Sequence, residues 1–344
     1  MSTSQNAINR AFNSVLQKVE PYKRSLLATD RYIIFSDHHK GARDGADDFL
    51  PCEPTYLTAL DYYLAEGHTL IVLGDAEELW EQKAREVLAA YPNVLESEAR
   101  FYQDNRYIRV YGNHDDKWRS PRQVKKYLDP FFPNIQVQDG VLFEFTGDGG
   151  LSGELFLTHG HQGTLDSDTL AWFTRIWLPI YRQIQIWTGL GKTTPAKDAC
   201  LRSEHDTKMY RWTRTQQNKI LIVGHTHRPI WSSRTHLEKL LNQLYTLRQK
   251  NIEEPSPEIE AEIAHLKAKI KSREDKDPPC TDTIKTRPSY FNTGCCRFED
   301  GDITGIELDR GQIRLIKWAK QGEDFTRQIL EEAPLSEIFF FLDI

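Results

Sequence analysis

The run LIVGHTHRP, Leu221 to Pro229, decides how the rest of the chain is read. Leu221, Ile222 and Val223 have the character of a buried strand, and Gly224 ends it. His225 and His227 then leave the carboxyl end of that strand with the same parity, which puts both imidazoles on one side of the chain. Two histidines beside a strand end are ordinary loop residues in many proteins, and they are also what a metal site needs. The other segments arbitrate.

Several further apolar runs stop in the same kind of place. RYIIFSDHH ends in Asp37, His38 and His39, TLIVLGD in Asp75, YIRVYGNHDD in Asn113 and His114, and ELFLTHGH in His159 and His161. Between the first two runs, Leu57, Leu60 and Leu64 share one face of a predicted helix closed by Gly67. Between the second and third, EQKAREVLAAYPNVLESEARFYQ is largely helical in pattern. Strands alternating with helices are the rhythm of α/β architecture, where ligands sit outside the carboxyl ends of the strands. Later, IQVQDGVLFEF predicts a hairpin about Asp139-Gly140. SYFNTGCCRF, DITGIELD and QIRLIKW predict further sheet strands. The expectation is a core of two mixed β-sheets flanked by helices.

Two helical insertions interrupt this pattern. Residues 166–217 are unusually aromatic, with Trp172, Phe173, Trp177, Tyr181 and Trp187, and form either a cap beside the site or a buried filler. Residues 234–272 predict a helical hairpin. One arm carries Leu237, Leu240, Leu241, Leu244 and Leu247. The other starts at Ser256-Pro257 and carries Ile259, Ile263, Leu266 and Ile270. The two seams can satisfy each other, the alternative being a homo-oligomer contact.

Bulk properties narrow the class. The chain has 344 residues, 39% of them hydrophobic, and a formal net charge of −6. That composition is globular, and the charge argues against a general nucleic-acid binder. Five cysteines without a Cys-x-x-Cys pair read as reduced thiols. The polar N-terminal stretch lacks the apolar core of a signal peptide, and no uncharged apolar run of about 18 residues occurs. The expectation is a cytoplasmic protein.

The strand ends together supply Asp37, His39, Asp75, Asn113, His159, His225 and His227. Carboxylate, imidazole and amide oxygen make a mixed donor set suited to Mn²⁺, with Fe or Zn²⁺ as alternatives. Seven ligands are too many for one transition metal and right for two divalent metal ions sharing a carboxylate. Two such ions outweigh the charge of Asp37 and Asp75, so the site attracts phosphate. Lys40, Arg43, Lys117, Arg119 and Arg228 lie near these segments, either as phosphate-binding groups or as solvated rim charges.

The ordered series DHH, GDAEE, GNHDD, HGH and GHTH, from Asp37 to His227, resembles the calcineurin-like binuclear metallophosphoesterases. The resemblance implies a four-layer αββα sandwich. It implies one ion held by Asp37, His39, Asp75 and His227, and a second by Asp75, Asn113, His159 and His225, with Asp75 bridging. It also implies cleavage of a phosphoester or pyrophosphate bond by hydroxide held between ions about 3.5–4 Å apart. His114 matches the family histidine that contacts the scissile phosphate as general acid. Glu78 stands where many members have an aspartate that orients this histidine. More narrowly, GDAEELW, GHTHRP and YFNTGC are similar to the UDP-2,3-diacylglucosamine hydrolases. That likeness implies a lipid-linked or nucleotide substrate and peripheral membrane contact through 166–190. In two respects the chain departs from those hydrolases: His114 replaces their arginine, and the 234–272 hairpin has no counterpart. Two rival readings stand beside this one. A nuclease on the same fold is expected to show a long basic path, and a non-catalytic metal-binding scaffold to have lost ligands.

Overall fold

The computed structural model describes residues 3–20, 23–26, 29–147, 152–163, 199–232, 234–235, 255–274 and 287–343, with scattered positions between 240 and 251. Among them lie two seven-stranded sheets. The first contains β1 (Arg24–Leu26), β6 (Val141–Thr146), β7 (Ser152–Leu157), β8 (Lys219–Val223), β9 (Pro229–Trp231), β10 (Arg234–Thr235) and β11 (Tyr290–Thr293). Its order is β1-β6-β7-β8-β11-β9-β10. The second contains β2 (Arg31–Phe35), β3 (Thr69–Leu73), β4 (Tyr107–Val110), β5 (Val137–Gln138), β12 (Ile303–Asp309), β13 (Gln312–Gln321) and β14 (Asp324–Pro334). Its order is β14-β13-β12-β2-β3-β4-β5.

Strand side chains alternate between faces, and here both faces are buried. Ile34, Ile71 and Val110 meet Phe143, Leu155, Ile220 and Ile222 in a core between the sheets. Their neighbours Ile33, Phe35, Leu70 and Val72 point the other way, against α2 (Glu53–Ala65) and α4 (Pro92–Gln103). On the far side, Leu142, Phe156, Leu221 and Val223 pack on α1 (Thr3–Val19) and α6 (Ala199–Thr213). The layers are helix, sheet, sheet, helix. The expected αββα sandwich is the observed fold, and unbroken apolar runs such as LIV and LIVL exist because a middle layer has no solvent face.

One local reading is corrected. The stretch after Asp75 is largely helical as expected and forms two helices, α3 (Ala84–Ala90) and α4, separated at Tyr91-Pro92, where proline opens the next helix instead of continuing the last. The predicted hairpin at Asp139-Gly140 is a switch between sheets. Val137 and Gln138 pair in parallel with β4 in the second sheet, whereas Val141 onward pairs with β7 in the first. A two-residue turn signal reports that the chain bends there; it does not say which strand each arm will find.

The insertions are partly in view. The aromatic residues 172–187 and the first halves of both insertions fall largely outside the described residues. Residues 199–213 form α6 of the outer layer, with Met209, Tyr210 and Trp212 buried. Helix α7 (Pro257–Glu274) packs Ile263 and Leu266 against Leu240 and Leu244 in a small cluster of its own. Between residues 121 and 127 runs the short helix α5, and α8 (Leu335–Asp343) packs Ile338 and Phe339 into the inter-sheet core. No helix among the described residues is long and apolar enough to cross a membrane.

Candidate metal centre

Strands β2, β3 and β4 run parallel, as do β7 and β8, so the ends that carry polar residues open on one edge of the sandwich. Beyond the strands the loops stay laced together. The His39 N–H donates to the Asp75 carbonyl at 2.9 Å, Gly224 N–H to His159 at 3.0 Å, and Cys296 N–H to Asp37 at 3.3 Å. Asp37, His39, Asp75, His225 and His227 all have positive φ, between 49° and 67°. Left-handed backbone at a non-glycine residue costs roughly 1–3 kcal/mol and gathers at functional sites. Here it turns alternate side chains of each loop toward one point.

That convergence is tight. His227 Nε2 lies 3.1 Å from Asp37 Oδ1 and 3.3 Å from His39 Nε2. His159 Nε2 lies 3.1 Å from Asp75 Oδ2, and His39 Nε2 lies 3.6 Å from the same oxygen. Three overlapping groups able to hold a cation result among the described residues, Asp37–His39–His227, Asp75–His159–His225 and His39–Asp75–His114, the last sharing a residue with each of the others. Asn113 adds a test of fit. Asn113 Oδ1 is shut off from solvent without a hydrogen-bond partner among the described residues, while His159 Nδ1 bonds the Leu73 carbonyl at 2.9 Å and leaves Nε2 facing Asp75. A buried acceptor with nothing to accept from is rare. A divalent cation satisfies the Asn113 oxygen, so the donor set fits the metal that the sequence implies.

The charges agree. Burial works against the Asp37 and Asp75 carboxylates, yet the surrounding imidazoles hold both well below the usual range. Burial also opposes charge on His39 and His159, but the carboxylates beside them hold the pKa values up at about 9 and about 10. Burial wins at His225 and His227, which are pushed down, His227 to about 4. Without metal the cluster neutralises its carboxylates with protons, and divalent cations compete for the same places.

Glycines make the approach feasible. A Cβ on Gly112 would stand 2.1 Å from Asp75 Oδ1 and 2.6 Å from its backbone nitrogen. Gly112→Ala should therefore displace Asp75, costing about 1–3 kcal/mol of stability and lowering bound metal. Denaturant titration and elemental analysis read the two effects, and unchanged metal content would show that Asp75 tolerates the shift.

His114 and Glu78 stand together beside the cluster. Glu78 Oε2 accepts from His114 Nδ1 at 2.6 Å and approaches His39 Nδ1 at 3.2 Å. The His114 ring stacks on Trp80 with centroids 4.0 Å apart, and its backbone N–H donates to Asp75 Oδ1 at 2.8 Å. His38 is packed edge-on against Phe49 and Tyr56, away from the ligand groups. The His161 ring lies 5.5 Å from that of His159.

Several contributors had no sequence signal. Asp206 on α6 accepts from Thr226 Oγ1 at 2.9 Å and Tyr290 OH at 2.7 Å, while Asn292 donates to the Gly224 carbonyl at 2.6 Å. Together they clamp the turn carrying His225 and His227. His205, also on α6, faces His225 with ring centroids 5.2 Å apart. Lys40 is not a rim charge: it is buried, 3.3 Å from Glu77 and 3.2 Å from Glu98. Arg228 is buried as well, 3.6 Å from Asp206.

Comparison with known proteins adds the family. The family model for calcineurin-like phosphoesterases matches residues 31–229, which span all five loops of the cluster. The chain belongs to the calcineurin-like phosphoesterases. The cluster thus supplies the candidate metal-binding groups of a metal-dependent phosphoesterase. No curated protein matches the chain. Among solved structures, vacuolar protein sorting 29 from Cryptosporidium parvum is 11% identical with a TM-score of 0.37, covering 89% of this chain and 98% of that one. A single mutant of Vps29 from Entamoeba histolytica is also 11% identical, with a TM-score of 0.32 and coverages of 88% and 98%. Both are too distant in shape to add to what the sheets themselves show.

Proposed function

We propose that this calcineurin-like phosphoesterase is a binuclear hydrolase of phosphoester or pyrophosphate bonds. The observation that carries the proposal is that the groups Asp37–His39–His227 and Asp75–His159–His225 are linked through the short His39–Asp75 approach. In this reading Asp37, His39, Asp75 and His227 hold one ion, and Asp75, Asn113, His159 and His225 hold the other. Two divalent cations there would supply Lewis acidity at phosphorus and acidify a water near neutral pH. The chain's own residues do the rest. Glu78, held ionised because His114 and His39 outweigh its burial, accepts the His114 Nδ1–H and turns Nε2 outward. Trp80 backs the ring. His114, part-exposed, can then deliver a proton from Nε2 to the departing oxygen.

His114→Ala should keep both metals and slow turnover by roughly 10²–10⁴-fold; an unchanged rate would remove the proton-donor role. The reading as a whole is tested by incubating Mn²⁺-loaded protein with bis(p-nitrophenyl) phosphate, UDP-linked lipids, nucleotides, phosphomonoesters and single-stranded DNA. Chelator-sensitive release from one class supports it, and metal-replete protein inert toward all of them would refute it. The similarity to the UDP-2,3-diacylglucosamine hydrolases and the aromatic residues 166–190 favour a lipid-linked pyrophosphate among these, cleaved at a membrane surface.

A further inference from the structure

The residues from Gly224 to Arg228 join β8 to β9, and β11 lies between those two strands. The turn therefore arches over the carboxyl end of β11, where Asn292 stands opposite Val223 on one side and Ile230 on the other. The Asn292 amide reaches into this arch, donating to the Gly224 carbonyl at 2.6 Å and to Thr226 Oγ1 at 3.0 Å. Its own oxygen accepts from the Gly294 N–H at 2.9 Å, which fixes the orientation of the amide. Thr226 passes its one hydroxyl proton to Asp206 Oδ1 at 2.9 Å, and Tyr290 OH donates to the same oxygen at 2.7 Å. All four side chains are buried. A hydroxyl that donates on one side and accepts on the other cannot turn without losing a bond, so the relay runs in one direction.

What the relay grips is the residue between two histidines with different destinations. His225 belongs with Asp75 and His159, and His227 with Asp37 and His39. Both have left-handed backbone, at φ 67° and 57°, a conformation that persists only where the surroundings over-determine it. We infer that Asn292 and Asp206, acting through Thr226, are positioning residues that set the spacing of His225 and His227, so that both cation groups can fill in one chain. A relaxed turn can bring either imidazole back by a small rotation, but not both, because a single residue separates them. Loss of the relay therefore falls on the second ion far more than on the first. The inference rests on the binuclear reading above and adds a determinant outside the metal donors. Part of that determinant, Tyr290 and Asn292, lies beyond residues 31–229, the stretch that the family model matches.

Metal binding, which needs no turnover, provides the test. The metal-free full chain is titrated with Mn²⁺. Electron paramagnetic resonance counts the ions left free, and the low-temperature spectrum shows whether bound ions are spin-coupled as neighbours. Wild type should take up two ions and show coupling. Thr226→Val keeps the shape and loses the hydroxyl. It should hold the first ion as wild type does, bind the second roughly 10–100-fold more weakly, and lose the coupling. Asn292→Leu, which strips the arch from below, should give the same pattern, so the result does not hang on one variant folding. Thr226→Ser, which restores the hydroxyl, should recover the second ion. Thr213→Val is the control: it removes another buried hydroxyl, bonded to the Tyr210 carbonyl at 2.8 Å on the last turn of α6, and should lower the melting temperature without touching either ion. Wild-type behaviour in Thr226→Val, no recovery in Thr226→Ser, equal weakening of both ions, or the same loss in Thr213→Val would each overturn the inference. A wild type that binds fewer than two ions would instead refute the binuclear reading on which it rests.

Discussion

Asp75→Asn should reduce phosphodiester turnover on the order of 10³-fold, as removal of a central electrostatic contact does, and leave fewer than two metals per chain. Asparagine keeps the shape and one acceptor oxygen, so the His114 N–H to Asp75 Oδ1 bond can survive. What disappears is the charge that faces His159 at 3.1 Å and His39 at 3.6 Å, and with it the carboxylate proposed to bridge the two ions. The loss should therefore exceed that for either flanking histidine. Elemental analysis beside a rate measurement separates the outcomes. A variant retaining two ions and a near-normal rate would mean that Asp75 does not bridge.

Arg109→Met should destabilise the fold by about 3–5 kcal/mol, the usual result of stranding a buried charge. Arg109 on β4 is fully buried, ion-paired with Glu77 and 3.9 Å from Glu98. Lys40 pairs with the same two acids, so two cations balance two carboxylates inside the protein. Trp118 donates to Glu77 and Tyr107 to Glu98, at 2.8 Å each. Removing Arg109 alone leaves an uncompensated carboxylate. Removing Glu77 with it, as Arg109→Met with Glu77→Gln, should recover a large part of the loss, because paired residues couple. Urea unfolding of the two singles and the double measures this directly; strict additivity would show that the pair contributes nothing specific. Lys40 follows His39 and Glu77 lies two residues past Asp75, so metal affinity should fall along with stability.

Much of this molecule was legible before folding, because two kinds of information are local. An unbroken apolar run such as LIV or YIIF says that a strand is buried on both faces, and the recurrence of Asp, His and Asn at strand ends says where a ligand goes. From these came the two-sheet core and the seven donor residues; the four-layer order and the pairing of His114 with Glu78 came from the resemblance to the calcineurin-like phosphoesterases. Asp139-Gly140 shows the limit. The dipeptide announces a bend, but β5 and β6 chose partners in different sheets according to long-range packing.

The rest had to await the folded chain because it depends on what comes near in space. Nothing in YIRV marks Arg109 as a buried ion, and nothing in a helix marks Asp206 as the clamp on the His225–His227 turn; each acquires its role from a residue far away in the chain. The left-handed backbone at Asp37, Asp75 and His225 is likewise enforced from outside, by bonds between loops that no short segment contains. Residue order specified which groups could bind metal. Only the packing of the two sheets face to face brought those groups within reach of one another.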